Sequence, residues 1–274
     1  MAEDRMSNVS RPQTILPIAT PAIAIREEVP QEEANDEVGQ VRVEVEVLPS
    51  NITSQEADLH RPKNTRNFSH HNLLKDPPNP GLSLRRHGNI GFPLSDQDVE
   101  KLVKAGHRSQ HMNENTWELP AKLWETTNPS WILLVKSVLK DVGRKLGVPK
   151  SRGTKGLPSA LILYGPGSVI KQPKLYSRPD NPVFGVLDII LPSKHNSCPI
   201  ILRHGDKQVT VATSGNTQFD GSYVSWFSDI SISSGFLNSG YRLAIRYILE
   251  HKSPGLVCSA SAIDGEIIKA TSYV

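Results

Sequence analysis

His204, Asp206 and His251 are the residues whose types come nearest to a metal site. Two imidazoles and one carboxylate gathered on one face can hold a non-haem Fe(II) and leave coordination positions open. His204-Gly205-Asp206 has the His-x-Asp spacing, and His251 follows 45 residues after Asp206. Local context argues against the set. "RHGDK" reads as a hairpin turn between two apolar runs, and His251 falls beyond the last run that reads as a core strand. The three stand as an alternative ligand set, not as the leading one.

Other residues with chemistry to offer are scattered. His195 in "LPSKHN" reads as a loop histidine, and Asp180 in "RPDNP" as a turn carboxylate with no histidine beside it. Lys171, Lys174 and Arg178 would draw an anion if they lined a pocket mouth; a solvated loop is the simpler account. "GPGS" at Gly165 is too short for a phosphate loop, and no nucleophile elbow is present. Cys198 and Cys258 are the only cysteines, which excludes a disulfide framework and a thiolate zinc site. "ILPIATPAIAI" is too short and too broken by proline to span a membrane. The Asn51-Ile-Thr sequon reads as chance without secretion. The expected compartment is the cytoplasm, with the nucleus as the other option.

The elements that must position such residues begin late in the chain. Of the 274 residues, the first 90 contain nine prolines and a single aromatic, Phe68, while all four Trp and all six Tyr come later. A segment so poor in large apolar groups cannot offset its ordering entropy. The expected organisation is a disordered leader over 1–90, one folded domain over 91–255 and a tail over 256–274. The leader is charge-patterned: residues 27–46 hold eight carboxylates, and residues 60–90 hold six Lys or Arg against one Asp. With one aromatic to stack on bases, the basic stretch reads as a solvated tail, and no nucleic-acid partner is expected. "VRVEVEVLP" (Val41–Pro49) alternates as a strand would, but nothing nearby offers it a sheet.

Two helices are predicted. In "PLSDQDVEKLVKAG", Ser95 caps, Val99, Leu102 and Val103 form an apolar face, and Gly106 ends the helix. In "NPSWILLVKSVLKDVGRKLGV", Asn128 caps, Pro129 opens the first turn, and Trp131, Leu134, Val135, Val138, Leu139, Val142 and Leu146 face the core. After Lys155 the period is that of strands: "SALILYG", "FGVLDIILP", "PIILRHG", "QVTVATS", "SYVSWFSD" and "YRLAIRYIL", separated by Gly, Pro, Ser and Asn. Helices followed by at least six strands predict an α+β domain whose sheets form a sandwich or barrel.

"ALILYGPGSVIKQPK", "FGVLDIILPSKHNSCPIILRHGDK" and "YVSWFSDISISSGFLNSGYRLAIRYIL" resemble the prolyl-4-hydroxylase-like 2-oxoglutarate/Fe(II) oxygenases, especially their fungal members. "GFPLSDQDVEKLV", "WELP", "NPSW" and "KLGV" follow the family's order, so the resemblance covers about residues 91–250. It implies a double-stranded β-helix (jelly roll) with buttressing helices. It also implies a family chemistry in which His-x-Asp and a distal His hold Fe(II), and an Arg pairs with the far carboxylate of 2-oxoglutarate.

Carried over position by position, the proximal His falls on Pro173, the carboxylate on Leu175 and the distal His on Ile232. Arg242, ten residues after Ile232, keeps the cosubstrate position, and Tyr164 keeps the tyrosine of the family's "LLY" strand. Proline and two aliphatic side chains supply no lone pair to iron, and metal binding needs several ligands at once. The resemblance therefore implies a degenerate member that needs neither Fe(II) nor 2-oxoglutarate. Two roles follow. One is a non-catalytic partner of an active oxygenase or other pathway enzyme in a hetero-oligomer. The other is a redox-neutral isomerase or cyclase acting on a small organic ligand through Arg242 or Tyr164. The alternative is an active dioxygenase with atypical ligands, using both cofactors.

Overall fold

Caps decide where the two helices begin, and burial of one face decides that they persist. The computed structural model describes residues 67–108, 115–175, 183–196, 199–212, 216–253 and 256–263. The chain divides into two units, Met1–Ala57 and Asp58–Val274, and every described residue belongs to the second. Val41–Pro49, Asn51, Arg178, Asp180 and Cys198 lie outside the described residues.

In chain order the first elements are β1 (Ser69–Leu74), β2 (Leu82–Leu84), β3 (Gly88–Asn89), α1 (Asp96–Ala105), β4 (His107–Arg108), β5 (Thr116–Pro120), β6 (Trp124–Thr126) and α2 (Pro129–Lys145). There follow β7 (Thr154–Tyr164), β8 (Val183–Ile190), β9 (His195–Asn196), β10 (Ile200–His204) and β11 (Lys207–Val211). The last are β12 (Gly221–Phe227), β13 (Ser231–Ser234), β14 (Ser239–Gly240) and β15 (Arg242–His251). Ser95 Oγ accepts from Asp98 N at 3.2 Å to start α1. Asn128 Oδ1 accepts from Ser130 N at 2.9 Å to start α2, a cap worth about 1 kcal/mol. Along α2, Trp131, Val135, Val138 and Val142 are buried, with Leu134 and Leu139 packed at the margin. Gly147, at φ +72°, ends the helical turn.

A seven-stranded antiparallel sheet runs in the order β1-β12-β8-β15-β7-β5-β4. A smaller sheet runs β11-β10-β13. The segment after β7 lies along β13 and the residues that follow it: Gly167 N donates to Leu237 O at 2.7 Å, Leu237 N to Ser168 O at 2.9 Å, and Ile170 N to Ser234 Oγ at 2.7 Å. The chain thus winds from β7 in the large sheet to this edge of the small one, and back to β8. It crosses again to β10 and β11, returns as β12, crosses as β13 and returns as β15. That alternation is a double-stranded β-helix, the jelly roll expected from the sequence.

Strand alternation gives the large sheet two distinct faces. Tyr223, Ile189, Ile245 and Leu161 are in register, and Tyr223 OH donates to Asp141 of α2 at 2.7 Å, so this row faces the helices. The next row, Val224, Asp188, Arg246 and Ala160, faces the opposite way. So do Arg242, Tyr164 and Thr116, which pair across β15, β7 and β5. All of these are buried, and the small sheet, with Ile200, Leu202 and Ile232 buried, forms the second layer over them.

Two expected boundaries move. Residues 67–90 are not part of a structureless leader: β1 pairs with β12 from Ser69–Trp226 to Leu74–Gly221, and β2 and β3 form a sheet with β6. Only Ser69 of β1 is buried, so the strand is held by its backbone ladder and shows no apolar alternation to read. Residues 256–263 are likewise not part of a structureless tail. A helical turn begins at Ala260, and Ala260 and Ile263 are buried in the core. No helix among the described residues is long and apolar enough to cross a membrane.

Candidate functional site

Arg242 opens β15 and Tyr164 closes β7, so their pairing sets both at one end of the inner face. Arg242 is 0% exposed, and its Nε donates to His195 Nε2 at 3.4 Å. His195 Nδ1 lies 2.7 Å from Ser193 O. A carbonyl only accepts and a guanidinium only donates, so the imidazole is neutral with its proton on Nδ1. His195, expected in a loop, is instead buried in the short strand β9, which pairs with β14 through Gly240. Gly240 has φ +74°, and a Cβ there would meet Lys194 O at 2.1 Å, so only glycine permits this close approach.

The loop carrying Pro173 is tied to β13 by Gln172. Its Nε2 donates to Ile230 O at 3.2 Å, and its Oε1 accepts from Ile232 N at 3.0 Å. Gln172, the residue before Pro173, is thereby bonded to the start of β13. Leu175 is partly buried and packs against the core, and Ile232 pairs with Leu202 of β10. Lys171 and Lys174 are exposed on this loop.

His204, Asp206 and His251 are not gathered into a site. Among the described residues no three His, Cys, Asp or Glu side chains are placed to hold a metal ion together. Gly205 and Asp206 are the two turn residues between His204 and Lys207, which pair across the β10–β11 hairpin. His204 lies against Phe68, ring centroids 5.9 Å apart, while His251 stacks on Phe184 at 4.5 Å. His251 is not beyond the last core strand as expected. β15 runs through it, because its backbone still pairs with Thr154 of the long β7. Burial first, and Arg152 second, lower the His251 pKa and favour the neutral ring, whose Nε2 accepts from Cys258 N at 3.3 Å.

Two charged constellations went unread in the sequence. The first is on the inner face, where Arg246 Nε and Nη2 donate to the two oxygens of Asp188 at 2.8 and 2.6 Å. Burial opposes the charge on Arg246, but the Asp188 carboxylate outweighs it and raises the guanidinium pKa further. A signal was present: each is a lone charged residue inside an apolar strand, "GVLDIIL" and "LAIRYIL". The second lies beneath α2, where Asp141 Oδ2 is 2.7 Å from both His70 Nε2 and Tyr223 OH, with Arg144 on its other oxygen. Burial pushes the Asp141 carboxyl up, yet hydrogen bonds from Tyr223, Arg144 and His70 prevail and lower it to about 2.

Surface clefts among the described residues include the following two. One of about 440 Å³ is lined by Asp96, Lys194, His195, Gln218, Ser239 and Tyr241, among others. The other, about 280 Å³, lies among Asn79, Asn89 and Asn128. Neither is lined by Pro173, Leu175, Ile232, Tyr164 or Arg242.

No protein-family model matches the chain, and no curated protein matches it. Solved structures similar to it include a 2OG-Fe(II) oxygenase family oxidoreductase from Burkholderia pseudomallei, at 7% identity and TM-score 0.35, over 62% of this chain and 85% of that one. A Pseudomonas putida prolyl-4-hydroxylase is similar at 12% identity and TM-score 0.38, over 65% and 96%. A viral collagen prolyl hydroxylase from Paramecium Bursaria Chlorella virus-1, solved with 2OG, is similar at 9% identity and TM-score 0.36, over 67% and 96%. The jelly roll itself rests on the strand order.

Proposed function

We propose that this chain is a catalytically degenerate, oxygenase-like protein that acts as a non-catalytic partner of another enzyme, an active oxygenase or a further member of its pathway. The observation that carries the reading is the donor set. By the resemblance, Pro173, Leu175 and Ile232 fall on the family's ligand positions, and none offers a lone pair. These residues do not fit Fe(II). The Asp188–Arg246 pair adds support. It occupies the same inner sheet face as Arg242, two inward positions along β15. A redox-neutral isomerase or cyclase is the second reading, and it would need ligand space over Pro173 and Ile232. For a partner surface, Phe219 and Phe236 are 54% and 64% exposed and sit close in sequence to the cleft residues Gln218 and Ser239. The reading keeps the expected compartment, the cytoplasm or, alternatively, the nucleus.

Loading with Fe(II) and 2-oxoglutarate without oxygen, followed by exposure to O2, tests the catalytic half. Succinate is expected only at the protein-free rate; stoichiometric iron with iron-dependent succinate would overturn the reading in favour of an active dioxygenase. Light scattering tests the partner half. A stoichiometric complex with a second enzyme, weakened by Phe219→Ser or Phe236→Ser, is expected, and a strictly monomeric chain under all conditions would count against it.

A further inference from the structure

The segment from Leu256 to Ile263 was expected to be a loose tail, and it is fastened at three separate points. At its start, Arg152 donates from Nε to Ser253 O at 3.3 Å and from Nη1 to Leu256 O. In the middle, Cys258 N donates to the neutral ring of His251. At its end, the Asp229 carboxylate accepts from Ala260 N at 3.0 Å, Ser261 N at 3.0 Å and Ser261 Oγ at 2.8 Å. Ser259 Oγ accepts from Ala262 N at 3.1 Å and starts the helical turn from within. Burial raises the Asp229 carboxyl, but the backbone N–H groups of Ser261 and Ala260 outweigh it and lower it, keeping the anchor charged.

Where these anchors lie gives the segment its meaning. Asp229 is in the turn between β12 and β13, three residues before Ile232. The same turn and the start of β13 receive both hydrogen bonds of Gln172, which hold the Pro173 loop. His251 is stacked on Phe184 near the start of β8, and Ser228 N donates to Phe184 O at 3.0 Å. The strap, the Pro173 loop, the start of β8 and the start of β13 therefore meet at one end of the jelly roll. Arg242 and Tyr164 are at the opposite end of their strands. Ala260 and Ile263 enter the same apolar core as Phe184, Phe227 and Ile232, while Leu256 and Val257 remain in solvent.

We infer that residues 256–263 are a C-terminal strap that closes the end of the sandwich where Pro173 and Ile232 lie, and that this end opens only when the strap lifts. The strap covers apolar surface with its own Ala260 and Ile263, and three polar anchors set how often it leaves. The inference stands whether or not the chain is catalytic: it concerns access to this end, not the chemistry behind it.

Cys258, partly exposed on the strap, is a built-in reporter once Cys198 is replaced by Ser. The experiment measures alkylation of Cys258 together with amide exchange over 168–175 and 230–234 in the full chain. Asp229→Ala should raise the alkylation rate about tenfold, as loss of cap-like bonds does, and exchange at 168–175 and 230–234 should rise with it. Exchange in the middle of β7 and β8 should stay as it was. Arg152→Ala, acting from the strap's other end, should move the same readouts in the same direction and serves if Asp229→Ala fails to fold. Faster alkylation with unchanged exchange at 168–175 and 230–234 would overturn the inference, because the strap would then cover nothing. Unchanged alkylation in both variants would overturn it as well. Neither result bears on succinate release, so failure here and failure of the degenerate-enzyme reading are distinguishable.

Discussion

The large sheet carries a carboxylate-centred cluster on each face, and the two differ in what surrounds the carboxylate. On the inner face Asp188 has one partner, Arg246, in a bidentate pair with both side chains almost wholly buried. On the helix side Asp141 shares its charge among Tyr223, His70 and Arg144 and keeps about a quarter of its side chain in water. The inner pair depends on each member being present, since neither charge has water to turn to. The outer cluster has solvent and several donors, so it loses stability in small portions. The contrast teaches that the inner face is organised as a sealed layer, whereas the helix side is a polar seam fastening β1 and β12 to α2.

The largest expected effect comes from unbalancing the sealed layer. Asp188→Ala leaves Arg246 buried and uncompensated and should cost about 3–5 kcal/mol in urea unfolding, whereas Asp188→Leu with Arg246→Met should recover most of that loss. If the single change costs under 1 kcal/mol, water reaches the pair and the inner face is not sealed. On the other side of the comparison, Asp141→Ala should cost about 1–2 kcal/mol, because remaining donors can turn to solvent.

Acid sharpens the difference. Asp141, lowered from 3.8 to about 2 in the fold, contributes stability that is full above its unfolded pKa and lost as pH falls through the folded one. His70 is lowered from 6.5 chiefly by burial, so its contribution is full above 6.5 and fades as pH falls through the lowered value. The urea midpoint should therefore decline in two stages, and Asp141→Asn should flatten the stage between about pH 4 and 2. A midpoint curve identical in wild type and variant would break the assignment. The smallest effect is local: Asn128→Ala removes the α2 cap and should cost about 1 kcal/mol, with little change at Asp188.

Much of the architecture was legible because it rests on local signals. Ser95 and Asn128 cap the predicted helices, and the six strand-like runs became β7, β8, β10, β11, β12 and β15. β1 was not legible: "SHHNLL" has no alternating apolar face, and it joins the sheet through backbone bonds to β12. His195 looked like a loop residue because its strand is two residues long and is defined only by β14, more than 40 residues later. The strap was invisible for a similar reason. Its buried residues are one Ala and one Ile, and its anchor, Asp229, is 31 residues from Ala260.

What the sequence by itself determined is the set of local choices: where helices start and stop, which runs alternate, and which residue types stand at 173, 175 and 232. These follow from side-chain chemistry and from neighbours within a few positions, which every copy of the chain carries whether folded or not. Only the tertiary structure decided that Asp188 meets Arg246, that Gln172 bonds to the start of β13, and that Asp229 fastens the strap at the same end. Each of those contacts joins residues 31 to 60 positions apart. They exist because winding the strands between two sheets brings distant segments to one place, and no local preference encodes that meeting.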